Sequence, residues 1–178
     1  RERVVSARAA RAGVPGAALL TPSAQVQASG TDTGFNGVAA GGSLGLQHAD
    51  MQRHIAYDIG AEGVARRLAQ QLDSPCILSN FSRLVIDPNR GEDDPTLLMR
   101  LYDGSIIPAN RNADASARGA RLDQCYRPYH TALNDLTARA DNPVLVAIHS
   151  FTPQLNGRPP RSWHIAVLHT EDERFSAP

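Results

Sequence analysis

The chain has 178 residues, enough for one domain with its own hydrophobic core. Its 18 basic residues balance its 18 acidic ones, which gives no electrostatic reason to expect a nucleic-acid or anionic-membrane partner. The two cysteines form no CxxC pair, so we expect no disulfide scaffold and a cytoplasmic protein. No apolar run is long enough to span a bilayer, so we expect no membrane-spanning helix.

The first 42 residues are rich in Ala, Gly, Ser, Thr and Arg and have little apolar periodicity. Their pattern allows a short helix over Val4–Ala12, and the remainder is expected to be mostly coil. We therefore predict a domain boundary at Ser43. Residues 1–42 form an N-terminal segment and residues 43–178 form the main domain.

Apolar residues recur at close to helical spacing from Asp50 to Leu72. This pattern predicts one helix, with Asp50 as the N-cap, which Gly60 weakens in the middle. On such a helix His54 and Asp58 would share a face. They would then bind one metal ion, bond to each other, or make an ordinary surface contact.

The rest of the chain alternates short apolar runs with helical patterns. One helical pattern runs from Arg118 to Ala140, and Pro128 should kink it or begin a second helix. This alternation is typical of an α/β domain with a mixed or mostly parallel sheet. A turn or hairpin is predicted at Gly104–Ala109, and strands are predicted at Cys76–Leu78, Leu84–Ile86, Val144–Ile148 and Ile165–Leu168.

Two polar clusters follow predicted strands, and ligands of open α/β sheets collect at the carboxyl ends of strands. One cluster contains Asp87, Asn89 and Arg90. The donors of Asn89 and Arg90 suit a carboxylate; alternatively Arg90 pairs with the acidic residues that follow it. The other contains His149. This histidine either ligates zinc through a neutral ring nitrogen or caps the strand by bonding to backbone.

A third group of candidates lies on the second helical pattern. Arg121, nine residues before His130, is a candidate anion binder. Tyr129 and His130 beside Pro128 are equally well explained as packed aromatic side chains. Cys125 falls on the apolar face, which indicates a core residue and not a nucleophile.

Seven motifs, in order, resemble the N-formylglutamate amidohydrolase family over roughly Ser43 to Arg174. Each is moderately specific alone, and their common order makes coincidence improbable. The motifs are Leu44–Leu46, Arg53–Ala61, Ser82–Arg90, Ile107–Asn110, Tyr126–His130, Ile148–Pro153 and Arg161–Leu168.

The resemblance implies a three-layer α/β fold similar to that of zinc carboxypeptidases, with a mixed, mostly parallel sheet that is incomplete at both ends. The implied reaction is zinc-dependent hydrolysis of N-formyl-L-glutamate, or of a similar small N-acyl amino acid, to formate and the amino acid, as in histidine degradation. The residue roles it implies are substrate binding for Asn89, Arg90 and His130, metal binding for Asp58 and His149, and catalytic assistance for Arg121.

The sequence departs from the family pattern in two places. An Asp-His-Ala-Ser-type motif usually precedes the Leu-Gly-Leu segment and supplies a zinc ligand, but Thr33–Val38 contains no histidine. A strand-borne glutamate suited to the general-base role is expected later than Glu171 and Glu173. The alternative function is therefore a non-catalytic fragment or pseudoenzyme that retains a carboxylate-binding site.

Overall fold

The computed structural model describes residues 4–10, 17–21, 43–140 and 144–168. The chain divides into two compact units, and each is described by itself. The sheet unit comprises Arg1–Pro22, Asp58–Leu78 and Ala132–Pro178, and the loop unit comprises Ser23–Tyr57 and Ser79–Thr131. None of the helices in the described ranges combines the length and the apolar character that crossing a bilayer requires.

The described strands are β1 (Val4–Ala10), β2 (Ala17–Thr21), β3 (Cys76–Leu78), β4 (Leu101–Tyr102), β5 (Ser105–Ile106), β6 (Val144–Phe151) and β7 (Ile165–Leu168). The described helices are α1 (His48–Met51), α2 (Ala61–Leu72), α3 (Pro108–Arg111), α4 (Ala115–Arg121) and α5 (Arg127–Ala138), with a π-helical turn over Leu122–Tyr126.

The sheet unit is built on a five-stranded sheet with the order β3-β2-β6-β1-β7. Strand β2 runs parallel to both β3 and β6, whereas β1 runs antiparallel to β6 and parallel to β7. In this register Ser6 lies opposite His149 and Leu19 lies opposite Val146. The mixed α/β character predicted from the sequence is confirmed, and the three-layer arrangement stays a prediction.

The core of the sheet unit lies between this sheet and α2. Ala61 and Ala65 of α2 are fully buried with Ile148 of β6, which is 2% exposed. Two alanines one turn apart let the helix approach the strand closely, because a methyl group is the smallest side chain that still excludes water. The carboxyl end of β6 is thereby held against the amino end of α2.

The loop unit has its own core of buried apolar residues. Several of these residues lie in segments without regular structure. The β4–β5 hairpin of this unit turns through Asp103 and Gly104, whose φ angles are 42° and 83°. Cys125 packs against this core, as its position on the apolar face predicted. The buried members are Leu44, Leu46, Ile55, Ala56, Phe81, Leu84, Val85, Ile86, Leu97, Ile107, Leu122 and Tyr126.

The helix predicted over Asp50–Leu72 is wrong in its middle. The structure has α1, then turns over residues 52–60, then α2. Gly60 at the N-cap of α2 has a φ of 83°, a left-handed conformation that glycine adopts without steric cost and that a helix interior excludes. His54 and Asp58 therefore do not share a helix face, and the expectation of a pair at helical spacing fails.

Two further predicted elements are wrong. Instead of a helix over Val4–Ala12, residues 4–10 form β1, because backbone pairing with two neighbouring strands overrides weak local propensity. Instead of a strand, Leu84–Ile86 is part of a buried turn closed by a hydrogen bond from the Val85 N–H to the Ser82 carbonyl at 2.9 Å. Its apolar side chains are buried in the loop-unit core, which explains why the run resembled a strand.

The other predicted elements are confirmed in whole or in part. The strands at Cys76–Leu78 and Ile165–Leu168 appear as β3 and β7, and the predicted strand at Val144–Ile148 continues to Phe151. The turn predicted over Gly104–Ala109 is confirmed in part, because the β4–β5 hairpin spans Leu101–Ile106 and Pro108 begins α3. Pro128 lies in the first turn of α5. Most of residues 1–42 lie outside the described residues, so the boundary at Ser43 stays a prediction.

Candidate functional site

The sheet unit joins two of the predicted site residues directly. The Nδ1 atom of His149 lies 2.8 Å from the Oδ2 atom of Asp58, and the side chains are 19% and 3% exposed. His149 lies on β6 beyond Ala147, which is paired with Leu20 of β2. The histidine is the sixth of the eight residues of β6 and so lies near the carboxyl end of the strand, the end at which α/β proteins place their ligands.

The position of Asp58 follows from the start of α2. The Asp58 carbonyl accepts a hydrogen bond from the Ala61 N–H at 3.1 Å, across a turn that the left-handed Gly60 makes possible. Ala61 packs in turn on Ile148, the neighbour of His149 on β6. The turn and the strand are thus fixed by packing, which positions carboxylate and imidazole without a contribution from either polar group.

This pair has the chemistry of a metal site. Imidazole nitrogen and carboxylate oxygen both ligate zinc; alternatively the carboxylate accepts the Nδ1 proton and directs Nε2 at the metal. Among the described residues no three His, Cys, Asp or Glu side chains are grouped closely enough to hold a metal ion. The described residues therefore fit part of a zinc site: two ligands, or one ligand with its orienting partner.

In the loop unit, Asn89 and Arg90 lie in a turn organised by Asp87, which is fully buried. One carboxylate oxygen of Asp87 accepts hydrogen bonds from the Asn89 backbone N–H and from the Asn89 side-chain amide, both at 3.0 Å. The other oxygen accepts from Arg83 at 2.8 Å. Asp87 belongs to the polar cluster predicted from the sequence, in which the Asp-Pro-Asn sequence is a signal for such a turn, and the structure gives it the role of organising that turn.

The guanidinium of Arg90 remains loosely held. Its Nε lies 4.0 Å from Asp87 and its Nη1 lies 3.9 Å from Asp94, both beyond hydrogen-bond distance. The side chain is 46% exposed. The alternative interpretation, pairing with the acidic residues that follow, is confirmed for Asp94 as an ion pair without a hydrogen bond. The exposure of the guanidinium leaves it accessible to a carboxylate ligand as well.

His130 contacts the same turn from α5. Its ring bonds to the backbone of Pro88, and because proline has no N–H the acceptor is the Pro88 carbonyl. The Nε2 atom is buried, with no hydrogen-bond partner among the described residues. Burial lowers the pKa of His130, while the Pro88 carbonyl and the nearby Glu92 oppose that shift.

Arg121 is buried in the loop-unit core, 2% exposed. Its Nη1 atom donates to the Val85 carbonyl at 3.0 Å and to Oδ1 of Asn110, and its Nη2 atom donates to the Ala109 carbonyl at 3.3 Å. Its Nε atom has no hydrogen-bond partner among the described residues. Desolvation lowers the pKa of Arg121. Because its donors bond to core oxygens, the predicted role in catalysis stays a prediction that these contacts do not support.

The predicted site residues thus form two groups. Asp58 and His149 meet in the sheet unit, whereas Asn89, Arg90 and His130 surround one turn in the loop unit. Their convergence on a single pocket stays a prediction. His54, considered as a partner of Asp58, lies in the loop unit with its Nε2 atom 3.4 Å from Asp103.

Comparison with known proteins agrees with the motif pattern. Residues 31–178 match the model of the N-formylglutamate amidohydrolase family. A similar solved structure, the crystal structure of gene product Atu2144 from Agrobacterium tumefaciens, is 32% identical with a TM-score of 0.68. The match covers 80% of this chain and 54% of that chain, so this chain spans about half the length of that protein. No curated protein matches. The chain belongs to the N-formylglutamate amidohydrolase family.

Proposed function

We propose that the chain carries out, or contributes to, the zinc-dependent hydrolysis of N-formyl-L-glutamate or a similar N-acyl amino acid to formate and the free amino acid. The observation that carries the proposal is the part-buried contact of 2.8 Å between His149, near the carboxyl end of β6, and Asp58. Membership of the family supports it. Histidine breakdown in the cytoplasm is the setting that goes with this reaction.

Asp58 and His149 would hold the zinc ion, with further ligands from outside the described residues. Bound zinc supplies a water of lowered pKa and polarises the formyl oxygen. Asp58 would either ligate the zinc itself or orient His149, since its Oδ2 atom can accept the Nδ1 proton and so leave Nε2 to bind the metal. Burial of the Asp58 carboxylate, 3% exposed, limits the competition of water for its contact with His149.

Asn89 and Arg90 would bind the substrate carboxylate. The Arg90 guanidinium lies 3.9 Å or more from the carboxylates of Asp87 and Asp94, beyond hydrogen-bond distance, and the geometry of a guanidinium matches a carboxylate in a bidentate pair. One amide N–H of Asn89 is used by Asp87, so its carbonyl oxygen and its second N–H remain for a ligand. The γ-carboxylate and the α-carboxylate of the substrate are both candidates for this position.

A second candidate function is carboxylate binding without catalysis. It is favoured by the lack of a third metal-ligating side chain near the pair among residues 43–140 and 144–168. It is also favoured by the Asn89–Arg90 turn, whose hydrogen bonds come from the protein itself and require no metal. In this function the chain binds acyl-amino acids or glutamate and releases no formate.

The experiment compares zinc content, formate release from N-formylglutamate and calorimetric binding for the wild-type chain, His149→Ala and Arg90→Lys. The proposal predicts bound zinc and turnover in wild type, loss of both in His149→Ala, and a KM raised about tenfold or more in Arg90→Lys because an ammonium replaces the planar fork. Arg111→Lys, at an exposed position, is the matched control. Metal-independent binding without formate would establish the second function instead, and absence of both binding and turnover would rule out both.

A further inference from the structure

We infer that Tyr126 and His130 are positioning residues that hold the Asn89–Arg90 turn in the conformation that receives a carboxylate. The inference rests on the proposed function, because it assigns these two side chains to the same substrate site. It also changes the role expected for His130 from direct contact with substrate to support of the residues that make that contact.

The two side chains bond to backbone carbonyls on either side of Asn89. The Tyr126 hydroxyl donates to the Arg90 carbonyl at 2.6 Å, and the His130 ring donates to the Pro88 carbonyl. Tyr126 is the last residue of the π-helical turn and His130 follows it by four residues on α5, so both lie on one helical face. One helical element thus fixes the turn at two peptide groups, which are separated by the peptide group between Asn89 and Arg90.

The rings of Tyr126 and His130 also contact each other. The centroids of Tyr126 and His130 lie 4.2 Å apart, and the ring of Tyr129 meets that of His130 edge to face at 5.3 Å. Such contacts restrict the rotamer of the imidazole and therefore the direction of its N–H. Tyr126 is 7% exposed, so its hydroxyl bonds to Arg90 with little competition from water.

Together with Asp87, these contacts fix three consecutive residues. Pro88 is held at its carbonyl, Asn89 at its N–H, and Arg90 at its carbonyl, while the Arg90 guanidinium stays 46% exposed. The backbone is therefore ordered before a ligand arrives, and the accessible part is the charged group. Ordering a turn in advance raises affinity, since binding then loses less conformational entropy.

Packing alone would give the two aromatic residues a purely structural role. Tyr126→Phe distinguishes this structural role from the positioning role, because it keeps the ring and its packing and removes only the hydroxyl bonded to Arg90. The two roles also separate at His130. His130→Asn retains an N–H near the position of Nδ1, whereas His130→Leu fills a similar volume without a donor. Tyr102→Phe is the matched control, a half-buried tyrosine in the same unit.

The test measures kcat and KM of the full chain for N-formylglutamate and for N-formylbutylamine, which has no carboxylate, together with the calorimetric Kd of N-formylglutamate. Tyr126→Phe and His130→Leu should raise KM and Kd for N-formylglutamate about five- to tenfold. Both variants should change kcat for N-formylglutamate less than twofold and should leave kcat and KM for N-formylbutylamine unchanged. His130→Asn should restore most of the affinity, and Tyr102→Phe should match wild type.

Unchanged Kd values in Tyr126→Phe and His130→Leu, with wild-type turnover intact, would overturn the inference and leave the proposed function standing. Equal losses for both substrates would also overturn it, because they indicate general destabilisation. If the wild type binds N-formylglutamate without hydrolysing it, a weaker Kd in both variants still supports the inference. If the wild type neither binds nor hydrolyses it, both proposals are overturned together.

Discussion

His149 and Asp58 are separated by 91 positions in the chain, yet Nδ1 of the one lies 2.8 Å from Oδ2 of the other. The carboxylate is almost completely buried and the ring is 19% exposed. A buried carboxylate in contact with an imidazole fixes which ring nitrogen carries the proton, and so determines which nitrogen can bind a metal ion.

Asp58→Asn tests this relationship. An amide cannot accept and orient the Nδ1 proton as a carboxylate does, nor is it a good zinc ligand, so we expect zinc affinity to fall about 10- to 100-fold. Formate release should fall in parallel. Zinc competition against a chromophoric chelator measures the affinity, and Asp73→Asn at an exposed helix C-cap is the control. Unchanged zinc affinity in Asp58→Asn would remove Asp58 from the site.

Arg121→Met separates a structural from a catalytic role. The substitution leaves buried oxygens of Val85 and Asn110 without their donor, so we expect a loss of about 2 kcal/mol in the free energy of unfolding, measured by urea titration. Adding Asn110→Leu should cost less in this background than in wild type, because the two side chains are directly coupled. A variant with wild-type stability but lower kcat would instead support the catalytic role expected from the sequence.

His130 should make stability depend on pH. Burial lowers its pKa in the folded protein, so near the ordinary histidine value of about 6.5 the unfolded chain binds more protons than the folded one. The contribution of neutral His130 is therefore fully present above that pH and is lost as the pH falls towards the folded pKa.

We expect the urea midpoint of wild type to fall more steeply than that of His130→Asn between about pH 6.5 and 5. The pKa of Glu92 is lowered, mainly by its hydrogen bond with Arg127, so this carboxyl titrates at lower pH. The difference in slope between the two proteins therefore reports on His130. Parallel curves for the two proteins would show that His130 carries no such linkage.

Alanine substitutions at Gly60 and Gly63 should have opposite effects on the stability of the protein. Gly60 has a φ of 83°, so Gly60→Ala strains the turn that presents Asp58 and should cost about 1 kcal/mol of stability and weaken zinc binding. Gly63 lies inside α2 with open space around it, so Gly63→Ala should stabilise the protein by about 0.5–1 kcal/mol. Thermal unfolding and zinc titration of both variants measure this. Equal effects in the two would contradict the backbone argument.

Much of the site could be anticipated from local sequence. The run before His149 predicted most of β6, and the strand continues through His149 to Phe151, so the histidine lies near its carboxyl end. The ordered motifs indicated the family, and residues 31–178 match its model. Asn89 and Arg90 were likewise identified, although the segment before them is a buried turn and not a strand.

Other relationships depend on contacts between distant segments. Periodicity predicted one helix through Asp58, whereas the left-handed Gly60 places that carboxylate in a turn beside His149. Nothing local distinguishes Arg121 in the core from an arginine available to substrate, because burial depends on which oxygens the fold places around it. The same holds for Tyr126, whose bond to Arg90 spans 36 positions.

The amino-acid sequence by itself therefore determined the family, the α/β class and most of the residue types at the candidate site, since these follow from composition, period and motif order. The tertiary structure decided which of those residues meet and which donors remain accessible. The physical reason is that hydrogen bonds and burial join residues far apart in the chain, and their partners are chosen by packing of the whole unit and not by neighbouring residues.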